Sequence, residues 1–453
     1  MTRWLYAVVM WLAQPLLRRK LRRRGAREPG YLSHMDERFG QYAQAAPPSD
    51  AAPLIWIHAV SLGETRAAAV LIKALRAEAP AMRLLLTHGT ATGRAEGQGL
   101  LHPGDLQCWQ PWDSTGPVGR FLRHFKPTIG VLMETEVWPN LVHACQQQGV
   151  PLLLANARLS DKSLQQALRL AWLARPAYQA LTAVWAQTLA DADRLAQLGA
   201  PVQGVLGNLK FDATPNAQQI ALGRRWRAQS GRPVVMLAVS REGEEFALLQ
   251  ILKKFCLPAH AGKAKIDIES IVNGIQWLIV PRHPQRFDVV AEMILAQGFG
   301  ISRRSTWGEV GPEPCSTEPL AGLATQIEVW LGDSLGEMAL YYGLADVALL
   351  GGSYQPLGGQ NLIEAAACTC PVVMGPHTFN FADAAEQAIQ SGAGVRVTDL
   401  NLGVQTALTL AANTLELSSR RQACSQFAQA HRGAAKRLAQ AIIGSIAQPE
   451  TPS

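Results

Sequence analysis

Cysteine is scarce in this sequence and never occurs in a spacing typical of a metal site. Seven cysteines are scattered over 453 residues, and no Cys-x-x-Cys pair occurs among them. An odd number of dispersed cysteines excludes a disulfide-stapled secreted scaffold, and the missing paired spacing excludes a zinc ribbon. We therefore expect reduced thiols in a cytoplasmic protein.

The sequence also lacks an apolar run long enough to cross a membrane unaided. The best candidate, WLYAVVMWLAQPLL at residues 4–17, is shorter than the roughly 20 residues that a spanning helix needs. The basic cluster RRKLRRRGAR at residues 18–27 follows this run. A secretory signal peptide has its charges first and a small-residue cleavage site after, so that class is excluded.

The first 30 residues instead fit a peripheral or shallowly inserted membrane anchor. Trp4, Tyr6 and Trp11 suit the membrane interface, and the basic cluster suits anionic lipids of the inner membrane on its cytoplasmic face. The alternative is a hydrophobic first helix that packs on its own domain beside a solvated charge run. Nucleic acid is not an expected partner, because the aromatics do not lie between the arginines.

Charged residues make up only 17% of the chain and hydrophobic residues 48%, a balance typical of globular proteins rather than disordered ones. Short apolar runs alternate with helical patterns, which predicts an α/β fold of buried parallel strands. We expect the anchor at residues 1–30, one Rossmann-like doubly wound domain at 31–212, a linker at 213–232 and a second such domain at 233–453. The last helix is expected to be able to pack back on the first domain, and ligands to bind in a cleft that the two domains face.

Candidate functional residues of the first domain lie where predicted strands end. Glu64 follows the strand LIWIH in the first turn of a helix, where it either caps the helix or serves as a catalytic carboxylate. Glu134 and Glu136 flank one residue at another strand end, so we expect one to be buried and the other to cap. Lys210 ends the last strand before the linker, and such a buried cation requires an anionic ligand or a carboxylate.

The second domain carries Arg282 after Pro281, the turn at 335–337 and a helix start at Asn361. Glycines beside that helix start would let a phosphate approach backbone amides. Glu364 either accepts hydrogen bonds from ribose hydroxyls or completes a capping box with Asn361. No metal site is expected, because the only Asp-x-Asp candidate, at 191–193, lies in a helical pattern.

Three classes of function remain open on these patterns. A membrane-associated glycosyltransferase accounts for the anchor, both domains and the strand-end charges. A nucleotide-dependent dehydrogenase accounts for the α/β pattern, but no Gly-x-Gly-x-x-Gly follows the first strand of either domain. A non-catalytic nucleotide-binding module accounts for the second domain alone.

Seven motifs make the sequence similar to one family. HAVSLGET, METEVWPN, NARLSDKS, GNLKFD, VPRHPQRF, GDSLGEM and GGSYQPLGGQNLIEAA occur in the order and spacing of the Kdo transferases. The resemblance implies a GT-B glycosyltransferase that moves 3-deoxy-D-manno-octulosonic acid (Kdo) from CMP-Kdo to the lipid A precursor, lipid IVA, with inversion. It implies no cofactor.

The resemblance also implies roles for single residues. Glu64 resembles the family's general base, and Glu134, Glu136 and Lys210 match motif positions of the same cleft. The implied CMP-binding residues are Pro281, Arg282, Leu335, Gly336, Glu337, Asn361, Leu362, Ile363 and Glu364. Two departures stand out: Gln360 occupies a position where relatives commonly have His, and the stretches 258–276 and 305–322 look like inserted surface loops.

Overall fold

The computed structural model describes residues 2–47, 52–256, 274–312 and 327–447. The chain divides into two compact units, residues 1–213 with 431–453, and residues 214–430. Each unit is built on one parallel sheet, as the alternating apolar pattern predicted.

The first unit contains a seven-stranded sheet in the order β3-β2-β1-β4-β5-β6-β7. Its strands are β1 (Leu54–His58), β2 (Arg83–His88), β3 (Leu106–Trp109), β4 (Ile129–Met133), β5 (Leu152–Ala157), β6 (Ala183–Ala186) and β7 (Val202–Val205). Its helices up to this point are α1 (Thr2–Leu12), α2 (Gln14–Gly25), α3 (Leu62–Glu78), α4 (Ala91–Gln98), α5 (Thr115–Phe125), α6 (Pro139–Gln147), α7 (Asp161–Arg169), α8 (Ala171–Gln179) and α9 (Leu189–Gln197). The residues of β1 to β5 are mostly apolar and almost all buried, because helices cover both faces of a doubly wound sheet.

The second unit contains a seven-stranded sheet in the order β10-β11-β9-β8-β12-β13-β14. Its helices are α10 (Ala217–Gln229), α11 (Glu244–Cys256), α12 (Phe287–Ala296), α13 (Met338–Leu344), α14 (Leu362–Ala367), α15 (Ala382–Gln390), α16 (Leu400–Ala412) and α17 (Thr414–Ala430). Its strands are β8 (Val234–Ser240), β9 (Gln276–Pro281), β10 (Gly300–Arg303), β11 (Glu328–Leu331), β12 (Val347–Leu350), β13 (Val372–Met374) and β14 (Gly394–Arg396).

The predicted linker at 213–232 is wrong, because most of it forms α10 of the second unit. Gly223 of α10 lies so close to α13 that an added Cβ would fall 2.2 Å from the carbonyl oxygen of Leu340. Polar residues and the Asn216 cap give this stretch the composition of a linker. Helix packing at Gly223 and the buried Trp226 instead make it part of the second unit's core.

The last helix, α18 (Ala434–Ala447), packs back on the first unit, as the sequence allowed, although the predicted bounds 233–453 had included it in the second domain. Leu438 and Ile442 join the hydrophobic core cluster that contains β1 and β4. Asp212 caps the start of α18 by accepting hydrogen bonds from the backbone N–H groups of Gly433 and Ala435.

The two predicted surface insertions are only partly described. Residues 258–273 and 313–322 lie outside the described residues, and Gln276, assigned to the first insertion, opens β9. In the second insertion Trp307 is buried and packs edge-on against Trp226 and Trp330. Residues 305, 306 and 308–310 are exposed, as expected of a surface loop, so the expectation fails only at the buried Trp307 and Gly311.

Candidate functional site

Glu64 stands at the topological switch point of the first sheet. β1 pairs with β2 on one side and with β4 on the other. From β1 the chain continues to β2 and β3 on one side of the sheet, and from β4 it continues to β5, β6 and β7 on the other. Glu64 follows β1, and Glu134 follows β4. In open α/β sheets this position at the carboxyl ends of the strands is where ligands bind.

The carboxylate of Glu64 takes part in the cap of α3. The hydroxyl of Ser61 accepts from the N–H of Glu64 at 3.4 Å and donates to Glu64 Oε1 at 3.1 Å, and the N–H of Val60 donates to Oε2 at 2.8 Å. The capping role foreseen for Glu64 is therefore present. Each carboxylate oxygen has a second lone pair, so the cap does not prevent the side chain from accepting a proton.

The pKa of Glu64 is raised to about 7 by burial, although the hydrogen bond from Val60 opposes the shift and the negative charges of Glu134 and Glu136 add to it. Desolvation and like charges both disfavour a carboxylate. A carboxyl group with a pKa near the working pH has the proton affinity that general-base catalysis requires.

Glu134 is buried and its backbone is held in the left-handed region, with φ of 56°. A non-glycine residue rarely adopts this conformation without a constraint. The Arg158 Nε atom lies 3.3 Å from one carboxylate oxygen, and Lys210 Nζ lies 3.7 Å from the other. Lys210 thus has the buried carboxylate that its position required.

Glu136 does not cap a helix, which corrects that expectation. β4 ends at Met133, and α6 begins after Trp138 with no side-chain cap. Glu136 Oε2 instead accepts a hydrogen bond from the indole N–H of Trp138 at 2.9 Å. Burial, opposed by this hydrogen bond and reinforced by Glu134, raises the pKa of Glu136.

In the second unit Arg282 follows the buried Pro281 at the end of β9. Its backbone N–H donates to the carbonyl oxygen of Ser240 at 3.1 Å, and its guanidinium donates to the side-chain oxygen of Gln360. Burial and the positive charge of Arg241 lower the pKa of Arg282. Gln360, the residue that departs from the family pattern, is itself buried against this arginine.

Arg241 is a site residue that the sequence patterns did not single out. It follows β8, the strand that β9 and β12 flank at the switch point of the second sheet. Val239 has φ of 55°, and the register shifts between Ala238 and Ser240. The sequence did contain a signal for Arg241, because this residue directly follows an apolar strand. Two arginines that repel each other at one sheet edge favour an anionic ligand.

The turn at 335–337 is held by side chains around it. Glu337 accepts hydrogen bonds from the hydroxyl of Ser334 and, at 2.8 Å, from Arg304. Gly336 has φ of 77°, which glycine adopts without strain. Leu335 is exposed, so its side chain is available for ligand contact but makes little contact with the core.

The segment 361–364 supplies backbone rather than apolar side chains to any ligand. Asn361 caps α14 by accepting from the N–H of Ile363 at 3.2 Å. The side chains of Leu362 and Ile363 are buried in the core, which leaves their backbone atoms for binding. Glu364 is half-buried one turn into the helix.

The described residues contain no group of three or more His, Cys, Asp or Glu side chains arranged to hold a metal ion.

None of the described helices is long and apolar enough to cross a membrane. α1 lies on the first unit through two polar contacts, from Tyr6 to Asp113 at 2.8 Å and from Arg3 to Asn140 at 3.2 Å. Its other side exposes Trp4 and Trp11, at 69% and 66% of their surface.

Comparison with known proteins identifies the family. The family model described as 3-Deoxy-D-manno-octulosonic-acid transferase (kdotransferase) matches residues 33–213. The 3-deoxy-D-manno-octulosonic acid transferase of Bordetella pertussis is 45% identical over 89% of this chain and 90% of its own length. The enzyme of the same name from Haemophilus influenzae is 29% identical over 97% of each chain.

A solved glycosyltransferase from Rickettsia africae covers 88% of this chain and 100% of its own, with a TM-score of 0.55 at 12% identity, which supports the fold alone. The order of two doubly wound α/β units is that of the GT-B fold. The chain therefore belongs to the 3-deoxy-D-manno-octulosonic acid (Kdo) transferases, a family of GT-B glycosyltransferases.

Proposed function

We propose that this protein transfers Kdo from CMP-Kdo to the lipid A precursor, lipid IVA, with inversion at the anomeric carbon, in lipopolysaccharide biosynthesis. The observation that carries the proposal is the Glu64 carboxyl group at the switch point of the first sheet, with its pKa raised to about 7.

The acceptor half of the reaction needs a base. As the acceptor hydroxyl oxygen bonds to the anomeric carbon of Kdo, its proton passes to the Glu64 carboxylate. The hydrogen bonds from Val60 and Ser61 hold that carboxylate in place, and a positioned base of matched pKa contributes roughly 10²- to 10⁴-fold. Glu134, with Arg158 and Lys210, supports the site electrostatically.

The donor half needs cations. The bond between the anomeric carbon and the phosphate oxygen breaks, and CMP leaves with the electron pair as a phosphate monoester. Arg282 and Arg241 supply positive charge for the phosphate and for the Kdo carboxylate, and the turn at 335–337 and the segment 361–364 bind the nucleotide. This scheme uses no metal ion, and we expect turnover to be unchanged by EDTA.

We further propose that α1 and the basic cluster hold the enzyme peripherally on the cytoplasmic face of the inner membrane. The exposed tryptophans of α1 suit the interface where a lipid acceptor is presented. Removal of Trp4 and Trp11 should therefore weaken vesicle binding without loss of turnover on a water-soluble acceptor.

The test of the reaction is a transfer assay with purified protein, CMP-Kdo and lipid IVA. Product mass should increase by whole Kdo units, CMP should be released in equal amount, and NMR of the new linkage should show the inverted anomeric configuration. A product of retained configuration, or hydrolysis of CMP-Kdo without transfer, would contradict the proposal.

A further inference from the structure

A cavity of about 230 Å³ lies between α1, α6 and α8 in the first unit. α6 lines it with Pro139, Val142, His143 and Gln146, which share one helix face. α8 lines it with Trp172, Leu173, Pro176 and Ala177, and Ala180 lines it directly after α8. Arg3 closes the α1 side. Neither helix contributes a residue that the catalytic proposal uses.

The cavity has a cationic, hydrogen-bonding end. The Nε2 atom of His143 is buried and has no hydrogen-bond partner among the described residues. Arg3 lines the same cavity, donates a hydrogen bond to Asn140 at 3.2 Å and interacts electrostatically with the buried Asp113. Its guanidinium carries five N–H groups, so donors remain for a further acceptor. A buried polar atom without a partner is costly, so this arrangement favours an acceptor-rich anionic group.

Apart from Gln146, the remaining wall is apolar, and it opens at an exposed tryptophan. Val142, Leu173 and Pro176 line the cavity, and Trp172 is 44% exposed. The cavity is large enough to hold several water molecules. That is enough for a phosphodiester and its glycerol carbons, whereas an isolated inorganic anion would leave the apolar wall uncovered.

We propose that this cavity binds the headgroup phosphate of an anionic bilayer phospholipid. The phosphate oxygens accept from Arg3 and His143, the glycerol carbons cover Val142 and Leu173, and the acyl chains leave past Trp172. The occupant is a bilayer lipid because α1, which contributes Arg3, also carries the exposed Trp4, Leu5 and Trp11. The site would fix the orientation of the first unit on the membrane, which adds a specific contact to non-specific attraction by the basic cluster.

The probe is dihexanoyl phosphatidylglycerol below its micelle concentration, because a monomeric lipid removes bilayer partitioning and surface potential. Calorimetry with the full chain should give one site, and Arg3→Gln and His143→Ala should each weaken binding at least tenfold. Arg123→Gln, which removes the same charge from an exposed position of α5, and His102→Ala, an exposed histidine, are matched controls that should stay within twofold of the parent.

Two further measurements decide the source of the ligand and guard against misfolding. Inorganic phosphate should bind at least tenfold more weakly than the lipid, and equal affinity would overturn the lipid assignment. Ala180→Leu fills the cavity while keeping both polar groups, and it should also abolish lipid binding. The proposed lipid site would be wrong if Ala180→Leu bound the lipid as tightly as the parent. It would also be wrong if Arg3→Gln and His143→Ala both folded and both kept the parent's lipid affinity. Because binding is measured without turnover, the result does not depend on the proposed transferase reaction.

Discussion

The hydroxyl of Ser61 lies 3.1 Å from the carboxylate of Glu64 and also accepts the N–H of that same residue at 3.4 Å. This reciprocal pair is a helix cap, and it also fixes the orientation of the carboxyl group proposed as the base. Capping and catalysis are therefore compatible at Glu64, and experiments must separate them.

Glu64→Gln should abolish Kdo transfer and leave the fold intact. The amide keeps an oxygen for the N–H of Val60 but cannot accept a proton, so we expect a loss of roughly 10²- to 10⁴-fold in turnover. Single-turnover rates, CMP calorimetry and a thermal melt measure this. Ser61→Ala is the control, because it removes the capping hydroxyl of α3 but keeps the Glu64 carboxylate. It therefore measures the effect of losing the cap separately from the effect of losing the base. A glutamine variant within about tenfold of the parent would exclude Glu64 as the base.

Transfer should depend on pH through Glu64. The carboxyl group must be ionised to accept a proton, so kcat/KM should fall about tenfold per pH unit well below a pKa of about 7 and level off above it. The measurement is kcat/KM from pH 5 to 9. A flat profile in the parent would show that this ionisation does not limit the reaction.

Stability should carry the opposite dependence. The pKa of Glu64 is raised in the folded protein from 4.5 to about 7, so the folded state holds the proton more tightly than the unfolded state. This contribution is complete below about pH 4.5 and is lost as pH rises through 7. Urea unfolding of the parent and of Glu64→Gln at pH 5 and pH 8 should show a smaller decline in the variant.

Arg282→Ala should weaken CMP binding. Loss of a charge-assisted contact to phosphate is worth about 1.5 to 3 kcal/mol, a roughly 10- to 150-fold increase in Kd. Arg232→Ala is the matched control. Arg232 is exposed and precedes β8, so it lies at the amino ends of the strands, whereas Arg282 lies at their carboxyl ends. Calorimetry with CMP gives the Kd of each variant. Equal Kd values for Arg282→Ala and Arg232→Ala would show that Arg282 does not bind the nucleotide.

Trp4→Ser combined with Trp11→Ser should make vesicle binding sensitive to salt. Both side chains are exposed, whereas Arg3 and Tyr6 keep α1 docked, so the fold should persist. The basic cluster should still attract anionic lipid at roughly 1 kcal/mol per charge. Sedimentation with anionic vesicles at low and high salt measures it, with Leu415→Ser, exposed in the second unit, as control. Identical salt dependence of parent and variant would contradict the anchor.

Gly223→Ala should destabilise the second unit. Alanine normally favours a helix interior over glycine by about 1 kcal/mol, but here the added Cβ meets the Leu340 carbonyl oxygen at 2.2 Å, and overpacking of this kind typically costs about 1–3 kcal/mol. Gly308→Ala, whose Cβ meets nothing within 4 Å, should be neutral. A Gly223→Ala variant as stable as the parent in urea would mean that α10 does not pack tightly on α13.

Strand-end residues were predictable from sequence because parallel strands are buried on both faces and read as continuous apolar runs. That pattern located Glu64, Glu134 and Arg282. Lys210, which was predicted to end a strand, instead lies in the 3₁₀ turn Leu209–Asp212 that follows β7. The pattern missed Arg241, which follows an equally clear strand, because no motif drew attention to it.

Local composition by itself determined the two doubly wound sheets, the caps at Ser61 and Asn361 and the exposed basic cluster, since periodicity and capping act over a few residues. Only tertiary structure decided the rest. The placement of α18 in the first unit, the membership of α10 in the second and the ion pairs of Glu134 join segments far apart in the chain. Burial, which raises the pKa of Glu64, depends on those same packed neighbours and not on its local sequence.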